Sequence, residues 1–149
     1  MLAYVRHIAR VLRTLLPTEG VYHVCSRGVA RRSIYLDDAD RQLFLLLTRM
    51  AQQRCEWNVL VYCLMTNHFH IVIDARIDAI TRGMHMLKSR YAQGFNQRYT
   101  RTGHLFQGRF YSGYVEEDAV EKVCDYVLDN PIRAGICRTR DEWPWLGYA

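Results

Sequence analysis

The chain has 149 residues, 50% of them hydrophobic and 23% charged, which suits one globular domain with a real core and excludes an extended disordered or fibrous chain. The net charge is +5, and of the 20 Lys+Arg only Lys88 and Lys122 are lysine. Arginine carries a rigid fork of donors that matches phosphate, so the balance points to nucleic acid, although a GC-rich genome would also raise the arginine count. The five cysteines form no C-x-x-C pair and their odd number argues against a closed disulfide framework; they read as buried reduced thiols of a cytoplasmic protein. No uninterrupted apolar stretch is long enough to span a membrane, so no membrane partner is expected.

Residues 4–16 carry apolar side chains at helical spacing, interrupted by arginines and ended by Pro17 and Gly20. A short strand at 11–16 is the alternative, and a transit-like leader is a further one. Residues 21–26 read as a strand, and Arg27-Gly28 opens a loop that also holds Arg31 and Arg32. Asp37 and Asp38 look like an N-cap with first-turn acids, followed by an amphipathic helix over 39–53. Residues 57–65 and 68–74 form a hairpin around a Thr66-Asn67 turn. Helical spacing returns over 78–99, then a polar loop to 108 and a strand over 110–115. Glu116, Glu117 and Asp118 start a last helix that Asn130-Pro131 stops. The tail, with Trp143, Pro144 and Trp145, has no clear element. The order is β-α-β-β-α-β and a helix, which is that of the ferredoxin-like split βαβ unit. The fold class is therefore α+β: a four-stranded antiparallel sheet, helices on one face, and an extra C-terminal helix that bears Tyr126, in one domain over 1–149.

Three constellations can carry chemistry. His68 and His70 flank Phe69 at the head of a strand, and strand residues two apart share a face about 6.5 Å apart. Two imidazoles so placed can hold one divalent ion, provided a third ligand comes from elsewhere. Tyr126 and Asn130 lie four apart on the last helix and share a side of it. That side borders the core stripe of Val120, Val123, Cys124, Val127 and Leu128. A packing tyrosine is the ordinary reading of such a position; a nucleophile beside a metal ligand is the other. From Thr81 to Val115 there is no acidic residue, while Arg82, Lys88, Arg90, Arg98, Arg101 and Arg109 are interleaved with aromatics. Cationic forks with stackable rings suit single-stranded nucleic acid.

The run Leu64-Met65-Thr66-Asn67-His68-Phe69-His70 resembles the signature of the REP-associated tyrosine transposases, single-tyrosine members of the HUH endonuclease superfamily. Further matching runs are Tyr22-His23-Val24, Ser26-Arg27-Gly28, Lys88-Ser89-Arg90-Tyr91-Ala92 and Gly103-His104-Leu105-Phe106-Gln107-Gly108-Arg109-Phe110. Tyr126-Val127-Leu128-Asp129-Asn130-Pro131 continues as Ile132-Arg133-Ala134-Gly135. The resemblance covers the chain from about residue 11 to 148, leaving 1–10 as an N-terminal extension. Thr66 stands where the family usually has proline, and Val29 where asparagine is common.

The resemblance implies that His68 and His70 bind a divalent metal, Mg²⁺ or Mn²⁺, with Asn130 as third ligand, where relatives often carry glutamine. It implies that Tyr126 is the nucleophile. The expected partner is single-stranded DNA or a DNA hairpin; a homodimer, as in related transposases, and a tyrosine helix docked in cis are both left open. The expected reaction is nicking and rejoining through a 5′-phosphotyrosine link. The tyrosine needs help to lose its proton, from the metal or from a nearby base such as Asp125 or His23, although Asp125 projects away from Tyr126 on the helix. The contacts to DNA are expected from Arg27, Arg31, Arg32, Lys88, Arg90, Arg98, Arg101 and Arg109. Two other readings compete. One is a catalytically silent DNA- or RNA-binding module, which would leave the histidine pair unexplained and lacks the RNP1 pattern. The other is a zinc hydrolase, which lacks an evident carboxylate base beside the histidines.

Overall fold

The computed structural model describes residues 15–148. The extension at 1–10, and nearly all of the segment read at 4–16, lie outside the described residues. The elements are β1 (Glu19–Arg27), α1 (Asp38–Cys55), β2 (Asn58–Leu64), β3 (His68–Arg76), α2 (Ile77–Arg98), β4 (Tyr111–Val115), α3 (Val120–Leu128), α4 (Asn130–Arg133) and β5 (Leu146–Tyr148). They make one antiparallel sheet in the order β4-β1-β3-β2-β5. The α+β class and the β-α-β-β-α-β order hold, with five strands in place of the expected four.

The period-2 alternation of β1 and β3 decides what each face of the sheet becomes. The two strands pair from Glu19↔Arg76 to Arg27↔His68. Tyr22, Val24, Phe69, Ile71 and Ile73 point to one face, where they are fully buried. They pack against Phe44, Leu47 and Ala51 of α1 and Ile80, Met84, Leu87, Tyr91 and Phe95 of α2. Each such side chain contributes roughly 1.5–3 kcal/mol through burial. Asp37 caps α1 as the sequence indicates, its carboxylate accepting the Asp40 N–H at 3.1 Å. Gly83 lets α2 approach the sheet edge closely. A Cβ there would stand 2.2 Å from the Trp57 ring, whose Nε1–H donates to the Ala79 carbonyl at 3.0 Å.

The opposite face is covered in part by α3. Val127 and Leu128 seal Val61, Cys63 and Val72 there, so the tyrosine helix lies across the sheet from α1 and α2. The last helical segment is broken where one helix was expected. A 3-10 turn at Glu117–Ala119 precedes α3, and Pro131 sits in the first turn of α4 instead of ending the run. Proline is tolerated there because that N–H needs no helical partner.

The tail also differs from expectation, since β5 pairs with β2 through Val61↔Tyr148, Tyr62↔Gly147 and Cys63↔Leu146. Two bonds fasten its approach: Trp143 Nε1–H to the Leu64 carbonyl at 3.0 Å and Leu64 N–H to the Trp145 carbonyl at 2.8 Å. The Arg41 guanidinium is buried among Tyr35, Trp143 and Trp145 at 5.2, 5.4 and 5.5 Å from their ring centroids. Cation–π attraction there ties the tail to α1.

Candidate active site

His68 and His70 project from the end of β3 onto the α3 side of the sheet, with the core residue Phe69 pointing the other way. Their rings stand 5.0 Å apart and nearly perpendicular. Across the sheet, His68 faces Arg27 and His70 faces Cys25, and two residues back along β1 is His23. His23 is buried, and its ring lies end to end with that of His70 and nearly coplanar with it, the centroids 5.1 Å apart. Its Nε2 lies 2.8 Å from His70 Nδ1.

Burial, together with the Arg27 charge, pushes the pKa of His68 down to about 4. Burial first, then His23, His68 and Arg27, lowers that of His70 well below the ordinary value. Burial alone brings His23 to about 4. All three rings are therefore neutral at physiological pH, the form that ligates a metal.

Asn67, which the sequence places in the hairpin turn without a role at the site, fixes the tautomer of His68. Its Nδ2–H donates to the Arg31 carbonyl at 3.1 Å. That orients Oδ1 toward His68 Nδ1, 2.7 Å away. An amide oxygen only accepts, so His68 carries its proton on Nδ1 and presents the Nε2 lone pair. The donor chemistry thus fits a divalent ion. Among the described residues no three His, Cys, Asp or Glu side chains are grouped to hold one. The third ligand that the sequence suggests is Asn130. Its Nδ2–H donates to the Tyr126 and Val127 carbonyls at 2.9 and 3.5 Å, which leaves Oδ1 as an acceptor.

Tyr126 is half-buried on α3, with its ring centroid 6.2 Å from that of His70 and 6.2 Å from that of His23. The Arg133 guanidinium lies over the Tyr126 ring at 5.2 Å. In the sequence Arg133 stands only within the motif after Tyr126, and its spacing signals no role. A groove of about 400 Å³ opens here between α3 and β4, with His23 and Tyr126 in its lining beside Tyr111, Lys122 and Arg133. Asp125, one of the candidate bases, lines the same groove and is held by Arg140 Nη2 at 3.0 Å. Arg140 also binds Asp129 at 2.7 Å.

The basic residues divide. Arg27 is exposed beside His68, and the loop with Arg31 and Arg32 is bound to the histidine turn through Gly28 N–H to the Asn67 carbonyl at 2.8 Å. The loop after α2 is drawn to the same end of the sheet. Val29 N–H donates to the Leu105 carbonyl at 2.9 Å, and Gln107 N–H to the Arg27 carbonyl at 2.8 Å. Between that loop and α2 is a second cleft of about 520 Å³, with a floor of Met84, Leu105 and Phe106 and a rim that includes Lys88 and Arg109. Lys88 Nζ donates to the Gly108 carbonyl at 3.0 Å and sits 5.0 Å from the Phe106 ring centroid. Arg90 is exposed on α2, and Arg101 lies 5.6 Å over Phe95. Arg98 stands apart: Asp37 and Asp40 hold it at 2.5 and 2.7 Å, so the fold already meets its charge.

Among the described residues, no helix is long and apolar enough to cross a membrane. No curated protein matches the sequence. In fold the chain is similar to a REP-associated tyrosine transposase whose structure was solved bound to a REP hairpin. That likeness has a TM-score of 0.72 at 16% identity, covering 87% of this chain and 77% of the other. It is also similar to a transposase-like protein described as putative in Deinococcus radiodurans R1, with a TM-score of 0.53 at 16% identity, covering 76% of this chain and 92% of that one. The family model described as "Transposase IS200 like" matches residues 18–130. A match of that length takes in β1 through the start of α4, hence both histidines and Tyr126, and the chain belongs to the IS200-like transposase family.

Proposed function

We propose that this transposase is a metal-dependent single-stranded DNA endonuclease and strand transferase that nicks DNA at a repeat or hairpin through a 5′-phosphotyrosine link on Tyr126. One observation carries the reading. The Tyr126 ring lies 6.2 Å from the His70 ring of the same chain, on the sheet face where two neutral histidines stand beside an exposed arginine. His68, His70 and Asn130 would hold Mg²⁺ or Mn²⁺. Bound there, such an ion would neutralise charge on a non-bridging phosphate oxygen.

The chain's own groups do the rest. Arg27, next to His68, attracts the phosphodiester and offsets its charge. The Tyr126 oxygen attacks phosphorus in line while the bond to the 3′ oxygen breaks, and the phenol proton passes through solvent in the groove to that departing oxygen, which leaves as a free 3′-hydroxyl. The phosphotyrosine keeps the bond energy, so a second 3′-hydroxyl can reverse the step. Arg133, over the phenol ring, holds it at the groove. Arg31, Arg32, Lys88, Arg90, Arg101 and Arg109 provide backbone contacts for the DNA, and Arg98 is left out of that set. The hairpin held by the similar REP-associated transposase supports a hairpin as partner. Because one chain brings Tyr126 to the histidines, the tyrosine acts in cis in this reading, and a homodimer is not needed to assemble the site. The location that goes with it is the cytoplasm.

The test is covalent capture. Purified protein with Mn²⁺ and a panel of labelled single-stranded hairpin oligonucleotides should give a protein–DNA adduct that survives denaturation. Tyr126→Phe should give none while still shifting the same oligonucleotide in a gel. An adduct that survives in Tyr126→Phe removes Tyr126 as nucleophile. Binding without any adduct by the unaltered protein favours the catalytically silent module.

A further inference from the structure

We infer that His23 is a positioning residue of the metal site: its Nε2 accepts the Nδ1–H of His70 and so holds the His70 tautomer whose Nε2 lone pair faces a metal ion. This rests on the reading of His68 and His70 as ligands.

His70 Nδ1 and His23 Nε2 are 2.8 Å apart, within hydrogen-bond distance. Both rings are buried, at 7% and 6% exposure, so little water reaches the pair to share the bond. A neutral imidazole has one donor and one acceptor nitrogen. Either His70 donates from Nδ1 and keeps Nε2 as a ligand, or His23 donates from Nε2 and His70 carries its only proton on Nε2, which then cannot ligate. Metal-bound histidines generally pass their second N–H to a fixed acceptor, and loss of that acceptor weakens metal binding about 10–100-fold. His68 already has this arrangement in Asn67 Oδ1 at 2.7 Å. His23 completes the same arrangement for His70. The two ligands thus have different supports, one from the adjacent residue in the turn and one from the neighbouring strand.

This assignment also settles which job His23 does. With Nε2 engaged by His70, the remaining proton of His23 is on Nδ1. Its ring can then donate toward the groove but cannot take the proton of Tyr126, although the two rings are 6.2 Å apart. His23 is a support for the ligand and not the base for the nucleophile. The near-coplanar, end-to-end placement of the two rings, 17° between their planes, and the β1–β3 register of Cys25↔His70 line the two nitrogens up for this bond.

The experiment uses the full chain. In metal-free, ¹⁵N-histidine-labelled protein at neutral pH, the ring nitrogen shifts should assign the Nδ1–H tautomer to His70 and to His23. An Nε2–H tautomer at His70 overturns the proposal. Calorimetric titration with Mn²⁺ is the second arm. His23→Phe keeps a flat ring and removes the acceptor, and should bind Mn²⁺ about 10–100-fold more weakly. His23→Gln places an amide oxygen near the position of Nε2 and should restore most of the affinity. His23→Asn, whose amide ends near the position of Nδ1, should not. Equal Mn²⁺ affinity in all four proteins overturns the positioning role alone. An unaltered protein that binds no Mn²⁺ overturns the metal-site reading, and this proposal with it. Should His23→Phe fail to fold, the contrast between Gln and Asn decides the matter.

Discussion

The two faces of one sheet differ in almost every respect, although the same strands make both. On the α1–α2 side, Tyr22, Val24, Phe69, Ile71 and Ile73 are fully buried and apolar. On the α3 side, the alternate residues of the same strands are His23, Cys25, Arg27, His68, His70 and Val72. A strand cannot move one set without moving the other. The apolar face therefore does more than stabilise the fold: by fixing the register, it fixes which residues meet under α3. Along β3 the two faces alternate residue by residue: Phe69 belongs to the apolar core and its two neighbours, under the proposed function, to the metal site.

That separation should show most strongly at Phe69. Its ring packs on Phe44 at 4.7 Å and Phe106 at 6.1 Å. Phe69→Ala is expected to cost about 3–5 kcal/mol of unfolding free energy, read by urea denaturation. His68→Ala, one residue away and half-buried, should change stability by about 1 kcal/mol or less while Mn²⁺ binding falls by at least ~100-fold. If His68→Ala unfolds the protein, or Phe69→Ala leaves stability intact, the division of labour between the faces is wrong.

Gly28 joins the two faces at one end and comes next in size. An added Cβ would stand 2.2 Å from the Arg32 carbonyl oxygen and 2.9 Å from Ile34 Cγ2. The backbone that follows is already in the left-handed region, at φ 52 for Ala30 and 58 for Arg31, which L-residues adopt at a cost of roughly 1 kcal/mol or more each. Gly28→Ala is expected to lower stability by about 1–3 kcal/mol. It should also loosen the Arg31 carbonyl from Asn67, so Mn²⁺ affinity should fall with it. A stability loss without an affinity loss would show that Asn67 does not depend on this turn.

Smaller effects separate the cations. Arg109→Gln should weaken DNA binding and reduce the salt dependence by about one phosphate contact. Arg98→Gln should leave that slope unchanged, because Asp37 and Asp40 already neutralise it. Fluorescence anisotropy across a salt series reads both. An unchanged slope for Arg109→Gln would move the DNA path away from the second cleft.

The hairpin, the two long helices and the histidine pair were legible because each rests on a local pattern: period 2 over 68–74, helical spacing over 39–53 and 78–99, an Asp N-cap. What escaped depends on distant partners. Leu146-Gly147-Tyr148 is a strand only because β2 offers an edge and Arg41 holds the tryptophans before it. The face covered by α3 is set by packing on Val61, Cys63 and Val72, which no spacing within the helix records. Arg98 looked like its basic neighbours, and its partner Asp37 is 61 residues away. His23 was noticed as a candidate base, yet the bond that gives it another role reaches a residue 47 positions on. Sequence spacing reports which side of an element a residue takes; it does not report what waits there.

The smallest expected effect concerns the rim of the apolar face and isolates a charge from a cap. Hydrogen bonding to Arg98, and next to the Asp40 N–H, holds the Asp37 carboxyl at about 2, below its ordinary 3.8. A carboxyl depressed in the folded state adds stability that is fully present above its unfolded value and is lost as pH falls through the folded one. The contribution should therefore fade between about pH 4 and pH 2. Asp37→Asn keeps a good N-cap, since asparagine caps as well as aspartate, and removes only the charge. The variant should lose little stability at pH 7, because the pair is solvent-screened, and its urea midpoint should fall less steeply than that of the unaltered protein between pH 4 and 2. Parallel curves would mean that Asp37 contributes as a cap alone. Arg98 would then be held by Asp40, and part of its charge would become available to DNA after all.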